Sequence, residues 1–131
     1  PVLAGIAEKS VKEIAYQAQW SAEWVIRLGD GTEESHEKVQ KSVNDLWMWT
    51  GELFEKHPVF EKLGSSFIDF STLKTEWLEK VTLVLETATL QIPDPESWMQ
   101  TGGRLGVHTS HLGFILAEMQ SLPRTYPAAS W

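Results

Sequence analysis

Apolar or small residues recur every three or four positions through the first 28 residues, and this spacing constrains the fold more than any other feature. The stripe consists of Ala4, Ala7, Val11, Ile14, Ala18, Ser21, Val25 and Leu28. Spacings that alternate between three and four place these side chains along one side of a single helix. The small members allow a neighbouring helix to approach closely. We therefore predict a long N-terminal helix that packs against other helices.

Glycines predict the end of this helix and the start of a hairpin. Residues 29–31 read Gly-Asp-Gly, where a glycine can adopt the left-handed conformation of a helix cap. Asp30 or Thr32 can then cap a second helix. That helix is expected to end before His57, because Pro58 restricts the residue before it to an extended conformation. The short link between the two helices predicts an antiparallel hairpin.

Two further helical patterns follow the hairpin. The third helix is predicted for residues 73–90, with Ser71 or Thr72 as its cap. The last helix is predicted for residues 108–122, and Pro123 is expected to end it. The patterns together predict an all-α fold, made of a helical hairpin and two further helices.

Composition excludes several classes of function. The chain has 18 acidic and 11 basic residues and a net charge of -7, which argues against binding to nucleic acid. No apolar run is long enough to suggest a membrane span. The absence of cysteine excludes thiol catalysis and agrees with a reducing compartment, so we expect a cytoplasmic location. Seven tryptophans in 131 residues indicate that some of them serve an interface.

An acid-x-x-His motif, formed by Glu33 and His36, is the feature most typical of a metal site. Glu13 on the first helix is a second acid, but it would lie roughly 20 Å from Glu33 along the hairpin axis. On the second helix, the acid and histidine positions of such a motif level with Glu13 are occupied by Asp45 and Met48. Methionine is a poor ligand for oxygen-activating iron. We interpret Glu33 as an acid that favours the start of a helix and His36 as a surface histidine.

A second set of candidates lies near the last predicted helix. His108 and His111 share one helix face, and with Glu118 they could form a mononuclear metal site. The interpretation that we prefer is hydrogen bonding around the start of that helix. Residues 102–106, Gly-Gly-Arg-Leu-Gly, could cradle an anion, but they follow no strand and are more typical of an ordinary glycine-rich connection.

The chain resembles one known family essentially from residue 5 to the last residue. Four segments carry the resemblance: EKSVKEIAYQ, EWVIRLGDGTEESH, LWMWTGELF and GGRLGVHTSHLGFILAEMQSLPRTYPAASW. They are similar to the C-terminal half of the structural, PaaC-type subunits of bacterial phenylacetyl-CoA 1,2-epoxidase. The resemblance implies a ferritin-like helical bundle and a non-catalytic component of a multicomponent monooxygenase. It also implies a homologous catalytic subunit that carries the di-iron centre and most of the acyl-CoA contact, with no cofactor in this chain.

Three positions depart from the pattern of that family: Gln17 stands where a histidine is expected, Ser110 where an acid is common, and Pro123 where a glutamine is usual. The first two departures remove groups that could bind metal. Members of the family are about twice as long, so we expect residues 1–131 to be the second half of a ferritin-like domain. Two alternatives remain: a catalytic di-iron subunit whose other ligands lie elsewhere, and a helical interaction module unrelated to oxygen chemistry.

Two predictions concern partners. An apolar stripe without its partner helices would be exposed, so we expect self-association in which two copies rebuild a four-helix bundle about a two-fold axis. The C-terminal segment combines histidines with large aromatic residues, which predicts a contact with the catalytic subunit. The residues assigned to this contact are Arg104, His108, His111, Tyr126 and Trp131.

Overall fold

The computed structural model describes residues 2–62, 69–128 and 130, and within these ranges every regular element is helical. The α-helices are α1 Val2–Gly29, α2 Glu33–Trp47, α3 Pro58–Lys62, α4 Phe70–Thr87, α5 Ser110–Met119 and α6 Ser121–Thr125, with 3-10 turns at Thr50–Phe54 and Gly103–Leu105. The predicted all-α class is confirmed, and the arrangement is consistent with a ferritin-like helical bundle. In the described ranges, no helix combines the length and the apolar character that crossing a bilayer requires.

The corner between α1 and α2 confirms the predicted hairpin and corrects one detail. α1 ends at Gly29, and Thr32 caps α2 by accepting a hydrogen bond of 3.2 Å from the backbone N–H of Ser35. Among the described glycines, neither Gly29 nor Gly31 has a positive φ, so the expected left-handed cap is wrong. A Cβ at Gly29 would lie 2.6 Å from the carbonyl oxygen of Ala88. Glycine is therefore required here by the close approach of the end of α4.

The second helix ends much earlier than its predicted end just before His57. α2 stops at Trp47, and the chain continues into the 3-10 turn Thr50–Phe54. The backbone N–H of Gln100 donates to the carbonyl oxygen of Met48 at 2.8 Å. The Thr50 hydroxyl donates to the carbonyl oxygen of Trp47 at 2.9 Å. These bonds satisfy carbonyl groups that would otherwise be unpaired at a helix end. The contact with Gln100 comes from a distant part of the sequence.

α4 begins three residues before its predicted start and has a different cap. The residue that caps it is Asp69, and the predicted caps Ser71 and Thr72 are its donors: the Thr72 hydroxyl at 2.6 Å and the Ser71 N–H at 3.0 Å. The pKa of the Asp69 carboxyl is lower than its ordinary value, mainly because of the hydrogen bond from Thr72 and next because of the bond from Ser71. The contribution of this cap to the stability of the fold is therefore complete at pH values above the ordinary pKa of an aspartate. It is lost as the pH falls through the lowered pKa of Asp69.

The last predicted helix is two helices, and Pro123 does not end it. The break falls at Gln120, whose N–H donates to the carbonyl oxygen of Leu116 at 3.0 Å. Pro123 is the third residue of α6. A proline is tolerated in a first helical turn because the N–H that it lacks would have no partner within the helix.

The core lies where α2, α4 and the C-terminal part of α1 meet. Its buried members are Trp47, Leu85, Ala88 and Leu90, and the indole of Trp47 lies 5.9 Å from that of Trp77, centroid to centroid. The N-terminal part of α1 is outside this core, because the side chains of residues 2–9 and 11–21 are all exposed. The fold therefore buries one end of α1 and leaves the other end uncovered.

Thr89, just after α4, has a φ of +60°, a left-handed conformation that is unfavourable for a β-branched residue. Replacing Thr89 by glycine is expected to raise the free energy of unfolding by about 1 kcal/mol, because glycine adopts this conformation without strain. Thr87→Gly is the matched control: Thr87 is the last residue of α4, where glycine should destabilise by up to about 1 kcal/mol. Urea titration of both variants measures the two effects, and a Thr89→Gly variant no more stable than the parent would contradict the expectation.

Candidate functional site

The glycine-rich connection packs on the first 3-10 turn through a carboxylate. Glu52 Oε1 accepts a hydrogen bond of 2.8 Å from the backbone N–H of Gly103. Gly102 and Gly106 have φ values of +95° and +90°, which favour glycine. A Cβ at Gly103 would lie 2.5 Å from Glu52 Oε2. The loop does bind an anionic group, but that group is a side chain of the same molecule, which supports its interpretation as a structural connection.

Arg104 contacts the same region of its own chain. Its Nη2 atom donates to the carbonyl oxygen of Leu53 at 3.3 Å, and its guanidinium carbon lies 5.5 Å from the ring centroid of Phe60. The residue is nevertheless exposed. Arg104 therefore fixes the connection to the body of the protein, and its predicted role in a contact between subunits stays a prediction.

His108 and His111 both lie near the start of α5, but only His111 belongs to it, because α5 begins at Ser110, two residues after the predicted start. They line a pocket of about 260 Å³ together with Trp49, Glu52, Gly103, Val107, Thr109, Leu112 and Ile115. Both residues are exposed. In the part of the chain that the structure describes, neither ring forms a hydrogen bond, and Thr109 caps α5 without a side-chain bond. The predicted hydrogen bonding around the helix start is thus not seen there.

The aromatic residues predicted for the same contact are placed only in part. Tyr126 follows α6 and is 58% exposed, whereas Trp131 lies outside the described residues. α5 adds large exposed side chains, Phe114, Ile115 and Met119. The C-terminal segment therefore presents an apolar surface beside the histidine pocket.

The acid-x-x-His motif has a structural contact that the sequence did not predict. His36 is half-buried, and its Nδ1 atom lies 2.7 Å from the carbonyl oxygen of Gly29. Glu13, by contrast, is exposed on the N-terminal part of α1. Across residues 2–62 and 69–128, no three histidine or acidic side chains come together in a way that could hold a metal ion. His36 connects the end of α1 to the start of α2.

Two apolar grooves open beside the core, and the stripe on α1 contributes residues to both. One, of about 400 Å³, is lined by Val25, Val39, Ser42, Val43, Leu46, Trp47, Thr50, Trp77, Val81 and Leu85. The other, which we name the α1–α4 groove, has a volume of about 390 Å³. Its lining residues are Ala18, Ser21, Ala22 and Val25 of α1 and Trp77, Lys80, Val81, Val84 and Leu85 of α4. An apolar surface of this kind is typical of a protein that binds another polypeptide.

The described residues form a helical protein with open apolar grooves, and comparison with known proteins gives its family. The profile of the family described as phenylacetic acid catabolic protein matches residues 1–131, so the chain belongs to that family. The chain is also 41% identical over 133 residues to one of the subunits of 1,2-phenylacetyl-CoA epoxidase from Escherichia coli (strain K12). That match covers 100% of this chain and 53% of the relative, so the chain spans about half the length of the curated relative. The predicted resemblance is confirmed.

Proposed function

We propose that this chain is part of a non-catalytic structural subunit of a phenylacetyl-CoA epoxidase, which supports a homologous di-iron catalytic subunit. The observation that carries the proposal is the apolar surface left exposed on α5 by Phe114, Ile115 and Met119, which a partner subunit would cover. Similarity to a subunit of the Escherichia coli epoxidase supports the choice of complex. The absence of cysteine agrees with a cytoplasmic complex.

The residues of this chain do not fit a di-iron site, and we therefore assign the chemistry to the partner. Bundles that bind two irons use two acid-x-x-His motifs on facing helices. The motif of this chain begins at Glu33, in the first turn of α2, and its His36 contacts the carbonyl oxygen of Gly29. Gln17 and Ser110 occupy positions where the family resemblance implied a histidine and an acid. We assign the di-iron centre and most of the acyl-CoA contact to the catalytic subunit.

Co-purification with the homologous catalytic subunit tests this proposal. The two proteins are expected to elute together, with iron following the catalytic subunit. The isolated chain is expected to contain no stoichiometric iron. Close to two irons per chain in the isolated protein would favour a catalytic role instead. Failure of the two proteins to associate would favour an interaction module unrelated to oxygen chemistry.

Replacing both His108 and His111 by alanine is expected to weaken the complex with the catalytic subunit by about 1 to 3 kcal/mol, if both rings lose water in the contact. Isothermal titration calorimetry measures the affinity, and circular dichroism should show unchanged helix content because both residues are exposed. His57→Ala is the control, since His57 is not among the residues that line the histidine pocket. Unchanged affinity of the double variant, or loss of iron from the partner, would show that the contact lies elsewhere.

A further inference from the structure

The first 3-10 turn is held against the core at both of its ends. At its start, the Thr50 hydroxyl donates to the carbonyl oxygen of Trp47, a buried residue of the core. At its end, the ring of Phe54 lies 5.3 Å from that of Trp77, centroid to centroid, and Trp77 packs on the core. Glu52 lies between these two points, so its carboxylate projects from a segment whose position is fixed.

The strongest contact between this turn and the glycine-rich connection, residues 102–107, is made by Glu52. Its Oε1 atom accepts the N–H of Gly103 at 2.8 Å, and the residue is half-buried. A hydrogen bond to a carboxylate is about twice as strong as one between neutral groups. The neighbouring bond from Arg104 to the carbonyl oxygen of Leu53 is 3.3 Å long and exposed. We therefore assign most of the hold on the connection to Glu52.

The glycine at position 103 is explained by this carboxylate. Among the described glycines, Gly102 and Gly106 have a positive φ, but Gly103 does not. The backbone at Gly103 would therefore tolerate alanine. A Cβ there would lie only 2.5 Å from Glu52 Oε2 and 3.1 Å from Oε1. The absence of a side chain at Gly103 thus leaves the space that the carboxylate needs to reach the backbone N–H.

The connection in turn sets the position of His108. The carbonyl oxygen of Gly102 accepts the N–H of Val107 at 3.0 Å, which closes the connection into a compact turn, and His108 follows directly. Thr109 caps α5 without a side-chain bond, so the start of this helix is not fixed by its own cap. His108 and Glu52 line the same pocket. A displacement of the connection would therefore move His108 relative to the turn.

We propose that Glu52 is a positioning residue for the contact with the catalytic subunit. By holding Gly103, it fixes Arg104 and His108 in the arrangement that the catalytic subunit binds. The inference rests on the function proposed above, where this contact was assigned. Glu52 acts through the connection and not by touching the partner. Its loss should lower the fraction of molecules that are ready to bind, and the apparent affinity falls with that fraction.

Hydrogen exchange in the full-length subunit tests the first step. In Glu52→Ala the amide of Gly103 loses its acceptor, so exchange in peptides that cover residues 101–107 should become at least about tenfold faster. Glu52→Gln keeps an acceptor oxygen in the same place and should restore most of the protection. Glu37→Ala makes the matched change at an exposed position of α2 and should leave this exchange at the parent rate.

The affinity for the catalytic subunit, measured by isothermal titration calorimetry, tests the second step. Glu52→Ala should raise the dissociation constant about three- to tenfold. Gly103→Ala should raise it by a similar factor, because the added Cβ displaces the carboxylate. The double variant should bind no more weakly than either single variant, since both substitutions break the same bond. Glu52→Gln should bind nearly as well as the parent, and Glu37→Ala as well as the parent.

The possible outcomes separate this role of Glu52 from the function on which it rests. Unchanged exchange in Glu52→Ala would overturn the role alone, because other contacts would then hold the connection. Faster exchange with unchanged affinity would also overturn it, and so would additive losses in the double variant with Gly103→Ala. A parent subunit that does not bind the catalytic subunit would instead overturn the proposed function, and this role with it.

Discussion

Replacing Leu85 by alanine is expected to lower the free energy of unfolding by about 2 to 5 kcal/mol. Leu85 is 5% exposed and belongs to the buried cluster with Trp47, Ala88 and Leu90. Removing its three outer carbons leaves a cavity at the point where α2 and α4 meet the end of α1. The total stability of a domain of this size is of the order of 5 to 15 kcal/mol, so the loss should be evident in thermal and urea unfolding.

Leu83 provides the matched control on the same helix. It is 66% exposed, so Leu83→Ala removes the same atoms from a surface that is already in contact with water. Its effect should stay within about 0.5 kcal/mol. Equal losses from the two variants would mean that α4 does not face the core through Leu85.

Replacing Gly29 by alanine is expected to lower the free energy of unfolding by about 2 to 3 kcal/mol, although alanine is normally the better helix former. The added Cβ would lie 2.6 Å from the carbonyl oxygen of Ala88 and 2.8 Å from its Cβ. The first of these contacts is with backbone, so the end of α4 must move away from α1. That movement disturbs the contact around Ala88, which is fully buried.

Gly5→Ala is the control for this substitution, since it makes the same chemical change in the same helix. A Cβ at Gly5 would have no other atom within 4 Å. The variant should therefore gain about 0.5 to 1 kcal/mol from helix propensity alone. Opposite signs for the two glycine variants, measured by urea unfolding, are the expected result. A stabilising Gly29→Ala would show that α1 and α4 are not in close contact there.

The local features of the fold could be predicted from the sequence because they depend on neighbouring residues. The cap at Thr32 follows from a side chain three positions from its donor, Ser35. The end of α2 could not be predicted, since the N–H that bonds Met48 belongs to Gln100. The cap of α4 was misplaced by two or three residues, because Asp69, Ser71 and Thr72 are all residue types that favour this position.

The candidate site was predicted to a smaller extent. His108 and His111 line one pocket, but His108 precedes α5, so the helical spacing on which their prediction rested does not apply to it. Their neighbours Trp49 and Glu52 come from a separate part of the chain. The carboxylate that accepts a hydrogen bond from the glycine-rich loop belongs to Glu52, which lies 51 positions before Gly103 in the sequence. The contact between His36 and Gly29 also needs the three-dimensional corner, because acid-x-x-His motifs look alike whether they bind metal or backbone.

The corner at Gly29 has a consequence for the order in which the chain folds. The bond from His36 closes a loop of a few residues, whereas the approach of Ala88 and the Thr89 hydroxyl to Gly29 closes a loop of about sixty. The entropic cost of closing a loop grows with its length, so contacts that are local in sequence tend to form first. The α1–α2 hairpin should thus assemble early and offer a preformed surface to α4. The docking of α4 then becomes the late step, and a change at Leu85 should act mainly by accelerating unfolding.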